Sequence, residues 1–210
     1  MNERNYENMF DSGVAICEAI IKECSLLIEM MDFMTESSRI AAQVSAIEDD
    51  ADQTVRQLGY YIFEHNMKED IDVYKLFKLL RNLEQSTDEI EELANLVVRL
   101  NITEVNDYFA SSLAMMHDVS QKMLKLVIAL RDKEPMPQIV KMTTEIDEVK
   151  IEYYKIYNFV VKDMFDKGYS AVDIIRWKDI YTQIRIIFKS FEYISEDVFR
   201  YLVADGIDIV

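Results

Sequence analysis

Glycine and proline are scarce in this chain, four and two among 210 residues. Hairpins and left-handed turns draw on the first and sharp chain breaks on the second, so a strand-and-turn architecture has almost no punctuation to use. Cysteine is scarce too. Cys17 and Cys24 fall on one predicted helix, about 10 Å apart along its axis, which is beyond disulfide reach. They are expected as free thiols in the core of a protein kept in a reducing compartment. No apolar run approaches the roughly 18 residues of a membrane span. Glu3 and Glu7 stand where a signal peptide would place its apolar segment. The chain therefore reads as cytosolic, with no direct membrane insertion.

Positive charge is also in deficit. With 23 Lys and Arg against 39 Asp and Glu, the net charge of −16 repels phosphate backbones and anionic lipid, which excludes nucleic acid as a partner. Catalytic signatures are missing: there is no Gly-rich phosphate loop, no G-x-S-x-G elbow and no His-Glu-x-x-His helix. A carboxylate-bearing helical bundle could suggest a di-iron enzyme, but that chemistry needs Glu-x-x-His motifs. Ile62 precedes His65 by three and Ala114 precedes His117 by three, so neither histidine forms one. The chain is not read as an enzyme.

What is present is apolar surface at helical spacing. Half the residues are hydrophobic, and they recur about every 3.5 to 3.6 positions over long stretches. Six long helices follow, an all-α fold. The first runs from about Tyr6 to Phe33, and Thr35 or Ser37 can cap a second that ends near His65. A link from Asn66 to Asp70 leads to a third, ending near Leu100. Thr103 can cap a fourth, which stops before Pro135 and Pro137, with Lys133 to Gln138 read as a loop. The fifth ends at Gly168, and Ser170 caps a sixth that ends around Ala204. Short links make neighbours antiparallel, giving two up-down-up units in series, approximately 4–101 and 103–204, inside a single domain 1–210.

The two units are copies. Lys150 and Tyr154 stand 102 residues after Glu48 and Asp52, while Arg185 and Lys189 stand 101 after Glu84 and Asp88. Ile62-Phe63 answers to Met164-Phe165, and Ile90-Glu91 to Phe191-Glu192. All eight special residues directly follow an apolar seam residue, as Glu48 follows Ile47 and Lys189 follows Phe188. If antiparallel neighbours face each other there, each unit gathers four side chains. In the first unit the four are carboxylates, whose mutual repulsion raises their pKa values or demands a cation. A hard metal ion with oxygen ligands would relieve it. The second unit carries Lys and Arg instead and would repel a metal. Regional charge agrees: Ile47 to Glu92 holds thirteen acids and five bases, Val149 to Tyr193 six acids and eight bases. The plainer reading is that acids four apart form a solvated helix face, and Asp49, Asp50, Glu89, Glu91 and Glu92 read as ordinary surface. Lys150, Arg185 and Lys189 could likewise form ion pairs within the bundle.

The run Ile47-Glu-Asp-Asp-Ala-Asp-Gln through Ile62-Phe63, then Lys68-Glu-Asp-Ile71 and Leu83-Glu-Gln-Ser-Thr-Asp-Glu-Ile90-Glu, resembles the PhoU-like proteins. The branch it most resembles is that of Pit accessory proteins, or putative phosphate transport regulators. Ile156-Tyr157 through Met164-Phe165 and Trp177-Lys178-Asp-Ile-Tyr181 are similar to that branch's second half. The resemblance implies a duplicated three-helix bundle marked by an E/D-x-x-x-D pattern that in some members holds metal. Glu48 with Asp52 and Glu84 with Asp88 match the pattern; Lys150 with Tyr154 and Arg185 with Lys189 do not.

It further implies a non-enzymatic regulatory or accessory protein of inorganic phosphate transport. Its partner would be a Pit-type phosphate permease met on the cytosolic face, and its cofactor a metal ion such as Fe, Mn, Mg or Zn, held by Glu48, Asp52, Glu84 and Asp88. Self-association into a homo-oligomer is expected. The alternative is a metal-free helical interaction module that uses the basic second-half surface.

Overall fold

A helix of thirty residues does not persist alone in water, and its stability comes from burying one stripe against neighbours. The computed structural model describes residues 3–204 and shows how six such stripes are satisfied together. The helices are α1 (Glu3–Asp32), α2 (Ser37–Glu64), α3 (Ile71–Arg99), α4 (Asp107–Arg131), α5 (Met136–Asp166) and α6 (Ala171–Ala204). Short 3-10 turns at Met34–Glu36 and Met67–Glu69 fill the first two links. The single-domain span read from the sequence includes residues 1–2 and 205–210, which lie outside the described residues.

Helices α1, α2 and α3 pack on one another, α4 joins α5 and α6, and the broadest contacts between the two groups are α3 on α6 and α1 on α4. Residue numbers rise along α3 while they fall along α6. Lys78 Nζ meets Asp197 Oδ1 at 2.8 Å, Ser86 Oγ donates to Ser190 Oγ at 3.0 Å, and Gln183 Nε2 donates to the Glu89 carbonyl at 3.0 Å. The two units therefore meet head to tail across an antiparallel pair. One apolar core runs through both, with Ile16, Ile20, Leu27, Leu83, Ile90, Met116, Ile184 and Phe188 all buried. Cys17 and Cys24 are buried free thiols in it, as the spacing predicts.

Gly13 marks where α1 meets α3 and α4. A Cβ built on it would lie 2.9 Å from Leu80 Cδ2 and 3.3 Å from Val127 Cγ1. A glycine inside a helix costs about 1 kcal/mol relative to alanine; here it permits the close approach of three helices.

The helix ends follow their local chemistry, with three departures from the sequence reading. Thr103 does not cap α4. Asn106 does, its Oδ1 accepting from the Phe109 N–H at 2.9 Å and from the Tyr181 hydroxyl at 2.7 Å. The segment Lys133 to Gln138 is a loop only in part, because α5 begins at Met136 with Pro135 as its N-cap residue. Proline is tolerated in a first turn, where no backbone donor is needed. Neither Thr35 nor Ser37 caps α2: Ser37 is already helical, and Glu36 precedes it without a side-chain capping bond. Elsewhere the signals hold. Gly168 adopts φ 68°, with Tyr169 N–H returning to the Met164 carbonyl at 3.2 Å, and Ser170 Oγ accepts from the Asp173 N–H at 3.1 Å. Asn101 and Lys133, at φ 50° and 54°, close α3 and α4 by the same geometry.

Candidate functional site

Two antiparallel helices bring residues of complementary number together. Along α2 and α3, Ser45 pairs with Glu91, and one turn further on Glu48 faces Asp88. Glu48, Glu84 and Asp88 each place a carboxylate oxygen so that all three lie within 4.8 Å of one another. Three of the four acids selected from the sequence are thus gathered. Asp52 takes a different role: its carboxylate is held by the Arg56 guanidinium one turn along α2, at 2.9 Å and 2.8 Å, in a two-point ion pair. It stands at the rim and contributes negative charge near Glu84.

Two further acids belong here. Glu91 is half-buried, accepts from Ser45 Oγ at 2.6 Å and from Asn95 Nδ2 at 3.3 Å, and adds its charge to the group. Reading it as ordinary surface was incorrect, because the α2 and α3 contact covers that side of the helix. Glu23, from α1, is fully buried, and neither of its side-chain oxygens has a hydrogen-bond partner. Its nearest charged influences are Glu48, Glu91 and Asp88. From α1 it is coupled to the cluster through its charge.

A signal for Glu23 existed in the sequence. In the run Ile16, Cys17, Ile20, Cys24, Leu27, the apolar steps of α1 leave position 23 on the buried side. An acid in such a stripe is a feature with a cause to find. In α4, the matching helix of the second unit, the buried residues include no carboxylate.

The electrostatics follow from this crowding. Burial, reinforced by Glu48, Glu91 and Asp88, drives the Glu23 carboxyl well above the usual range. Burial, then a side-chain hydrogen bond with Asp88 and that group's charge, push Glu48 up to about 7. Burial and then the Asp88 charge raise Glu84. Bringing these acids together thus favours the protonated form of Glu23, Glu48 and Glu84.

The corresponding place in the second unit is built differently. Lys150 Nζ reaches Glu192 Oε1 at 2.6 Å and Lys189 Nζ reaches Glu192 Oε2 at 2.5 Å. Burial alone would push the Glu192 carboxyl up, but these two ammonium groups outweigh it and hold it below the usual range. Two built-in cations sit where the first unit is acidic. Arg185 lies over the Tyr157 ring, 5.1 Å from its centroid.

The whole arrangement has solved relatives. The crystal structure of PhoU from Pseudomonas aeruginosa superposes with a TM-score of 0.76 at 13% identity, covering 97% of this chain and 100% of that one. The phosphate transport system regulatory protein PhoU from Streptococcus pneumoniae superposes with a TM-score of 0.65 at 12% identity, covering 96% of each chain. This chain has the PhoU fold. No family model matches the sequence, and no curated protein matches it. At such identities the likeness carries the PhoU architecture and says nothing of individual side chains, so the acidic cluster stands on its own geometry. Among the described residues, no helix is long and apolar enough to cross a membrane.

Proposed function

We propose that this protein is a non-enzymatic regulator of inorganic phosphate transport, acting from the cytosolic face by docking on a permease of the Pit type. The observation that supports it is the end-to-end PhoU fold, shared with a structure described as a phosphate transport system regulatory protein. The sequence resemblance to the Pit accessory branch selects the kind of transporter. Deleting the gene should change phosphate uptake or its response to external phosphate, and a tagged copy should retain the permease on gentle purification. Unchanged uptake with no permease retained overturns the reading.

Within that role the acidic cluster is a metal site held by Glu48, Glu84 and Asp88, with Glu23, Asp52 and Glu91 adding charge around it. The residues fit a cation for a reason independent of the fold: Glu23 is a buried carboxylate with both oxygens unpartnered, a costly state unless a charge of opposite sign completes it. Oxygen-only donors suit Mg, Mn or oxidised Fe, with Zn less favoured by the absence of a nitrogen or sulfur ligand. A bound ion would neutralise the cluster and offer positions for phosphate oxygens. The chain's own part is to hold Glu48 and Asp88 together across α2 and α3 and to release the Glu48 proton to solvent as the cation enters. Metal analysis of protein purified without chelator should find the ion near stoichiometry, and Glu48→Gln with Asp88→Asn should abolish it. Metal that survives both changes refutes the site.

A further inference from the structure

The second unit carries a groove that the metal reading does not use. Between α5 and α6 a cavity of about 400 Å³ is lined by Tyr154, Tyr157, Asn158, Arg185, Ile186 and Lys189. Three of these are the counterparts, by the 102- and 101-residue offsets, of Asp52, Glu84 and Asp88. At two of the three, Arg185 and Lys189, a base stands in place of an acid. No carboxylate lines the cavity.

Its two cations are placed for an anion. Arg185 and Lys189 are one turn apart on α6, about 6 Å along the helix axis. Among the described residues no carboxylate lies within ion-pairing distance of Arg185, which is exposed and rests on the Tyr157 ring. A guanidinium laid on an aromatic face keeps its edge donors free, and that planar fork matches the oxygens of a phosphoryl group. Lys189 shares Glu192 with Lys150, so its charge is only partly balanced by that carboxylate. The phenol of Tyr154 and the amide of Asn158 supply further polar groups at the wall. The Tyr154, Tyr157 and Ile186 side chains supply apolar surface beyond what a bare anion requires.

We propose that this α5–α6 cavity binds a phosphate-bearing small molecule through Arg185 and Lys189. The phosphoryl group is the shared chemistry; free orthophosphate and a nucleoside monophosphate are its two sources. The aromatic wall offers a surface for the base of the second, and the cation pair serves either. This site is separate from the acidic cluster in the first unit and needs no metal.

Calorimetric titration of the full chain with orthophosphate and with AMP, both in excess chelator, tests it. Chelation removes any phosphate held through a metal in the first unit, so failure here and failure of the metal reading are told apart. The expected result is saturable binding that weakens about tenfold or more in Arg185→Gln and in Lys189→Gln, as the loss of a charge-assisted hydrogen bond implies. Lys122→Gln, on α4 beside Asp118, should bind as the parent does. Glu192→Gln should bind more tightly, because Lys150 and Lys189 are then free to face the ligand; three cations with a purely structural role would give no such gain. Melting curves establish that each variant is folded. AMP bound more tightly than orthophosphate identifies a nucleotide-like ligand, and equal affinity identifies the phosphoryl group alone. No saturable binding of either ligand at millimolar concentration overturns the proposal, as does binding that the Arg185 and Lys189 substitutions leave unchanged.

Discussion

Glu23 is the residue on which the first-unit site turns. A buried carboxyl with no hydrogen-bond partner costs about 1–3 kcal/mol, a cost that an apolar side chain of similar volume removes. Glu23→Met should therefore raise the melting temperature of metal-free protein, by about 2–4 °C for each kcal/mol in a chain of this size. The same change should erase any rise produced by added divalent cation, which thermal scans with and without metal will show. Glu48 sets a pH dependence of definite sign. Its carboxyl titrates near 4.5 when free and is pushed up to about 7 in the folded protein. Between those values the unfolded chain has lost a proton that the native chain retains. Its contribution to metal-free stability is complete below pH 4.5 and is lost as the pH rises through 7. Urea midpoints in chelator should fall across that interval, and the fall should shrink in Glu48→Gln. Metal uptake below neutral pH should release protons, seen as a buffer-dependent heat of binding.

Between elements, a few polar side chains join surfaces that are otherwise apolar. Asn106 is one: the same oxygen caps α4 and accepts from Tyr181 on α6. Asn106→Ala removes both bonds and leaves a largely buried phenol without its acceptor, so a loss of about 2 kcal/mol is expected by chemical denaturation. Thr103→Ala should change little, since Thr103 is exposed and makes no cap. The Asn106 cap was not legible in the sequence. Thr103 and Asn106 are both good capping residues a few positions before an apolar run, and the choice rests on burial of Ile102 and on Tyr181 arriving from another helix. Gly168 and Ser170 were legible because each acts through its own backbone neighbours.

Across the molecule the two units converge at Gly13, where α1 touches Leu80 of α3 and Val127 of α4. Gly13→Val would drive a branched side chain into that junction. Overpacking of this kind costs about 1–3 kcal/mol, so the melting temperature should drop, with the helical content of the folded state unchanged by circular dichroism. The two halves also differ in charge while sharing a shape. In one, acids face acids across α2 and α3; in the other, Lys150 and Lys189 close on Glu192, and no acid among the described residues lies within ion-pairing distance of Arg185. Positions 101 or 102 residues apart thus carry acids in one half and, at Lys150, Arg185 and Lys189, bases in the other.

Periodicity and the shortage of breakers were enough to establish six helices and their order, because those properties depend on neighbours along the chain. They also placed Glu48, Glu84 and Asp88 on a shared face. Which acids share a site is a matter of packing. Asp52 turned to Arg56 on its own helix, Glu91 was drawn in by the α2 and α3 contact, and Glu23 came from α1. Ion pairing and burial act through space between residues far apart in number, and only the assembled helices bring such residues within reach of one another.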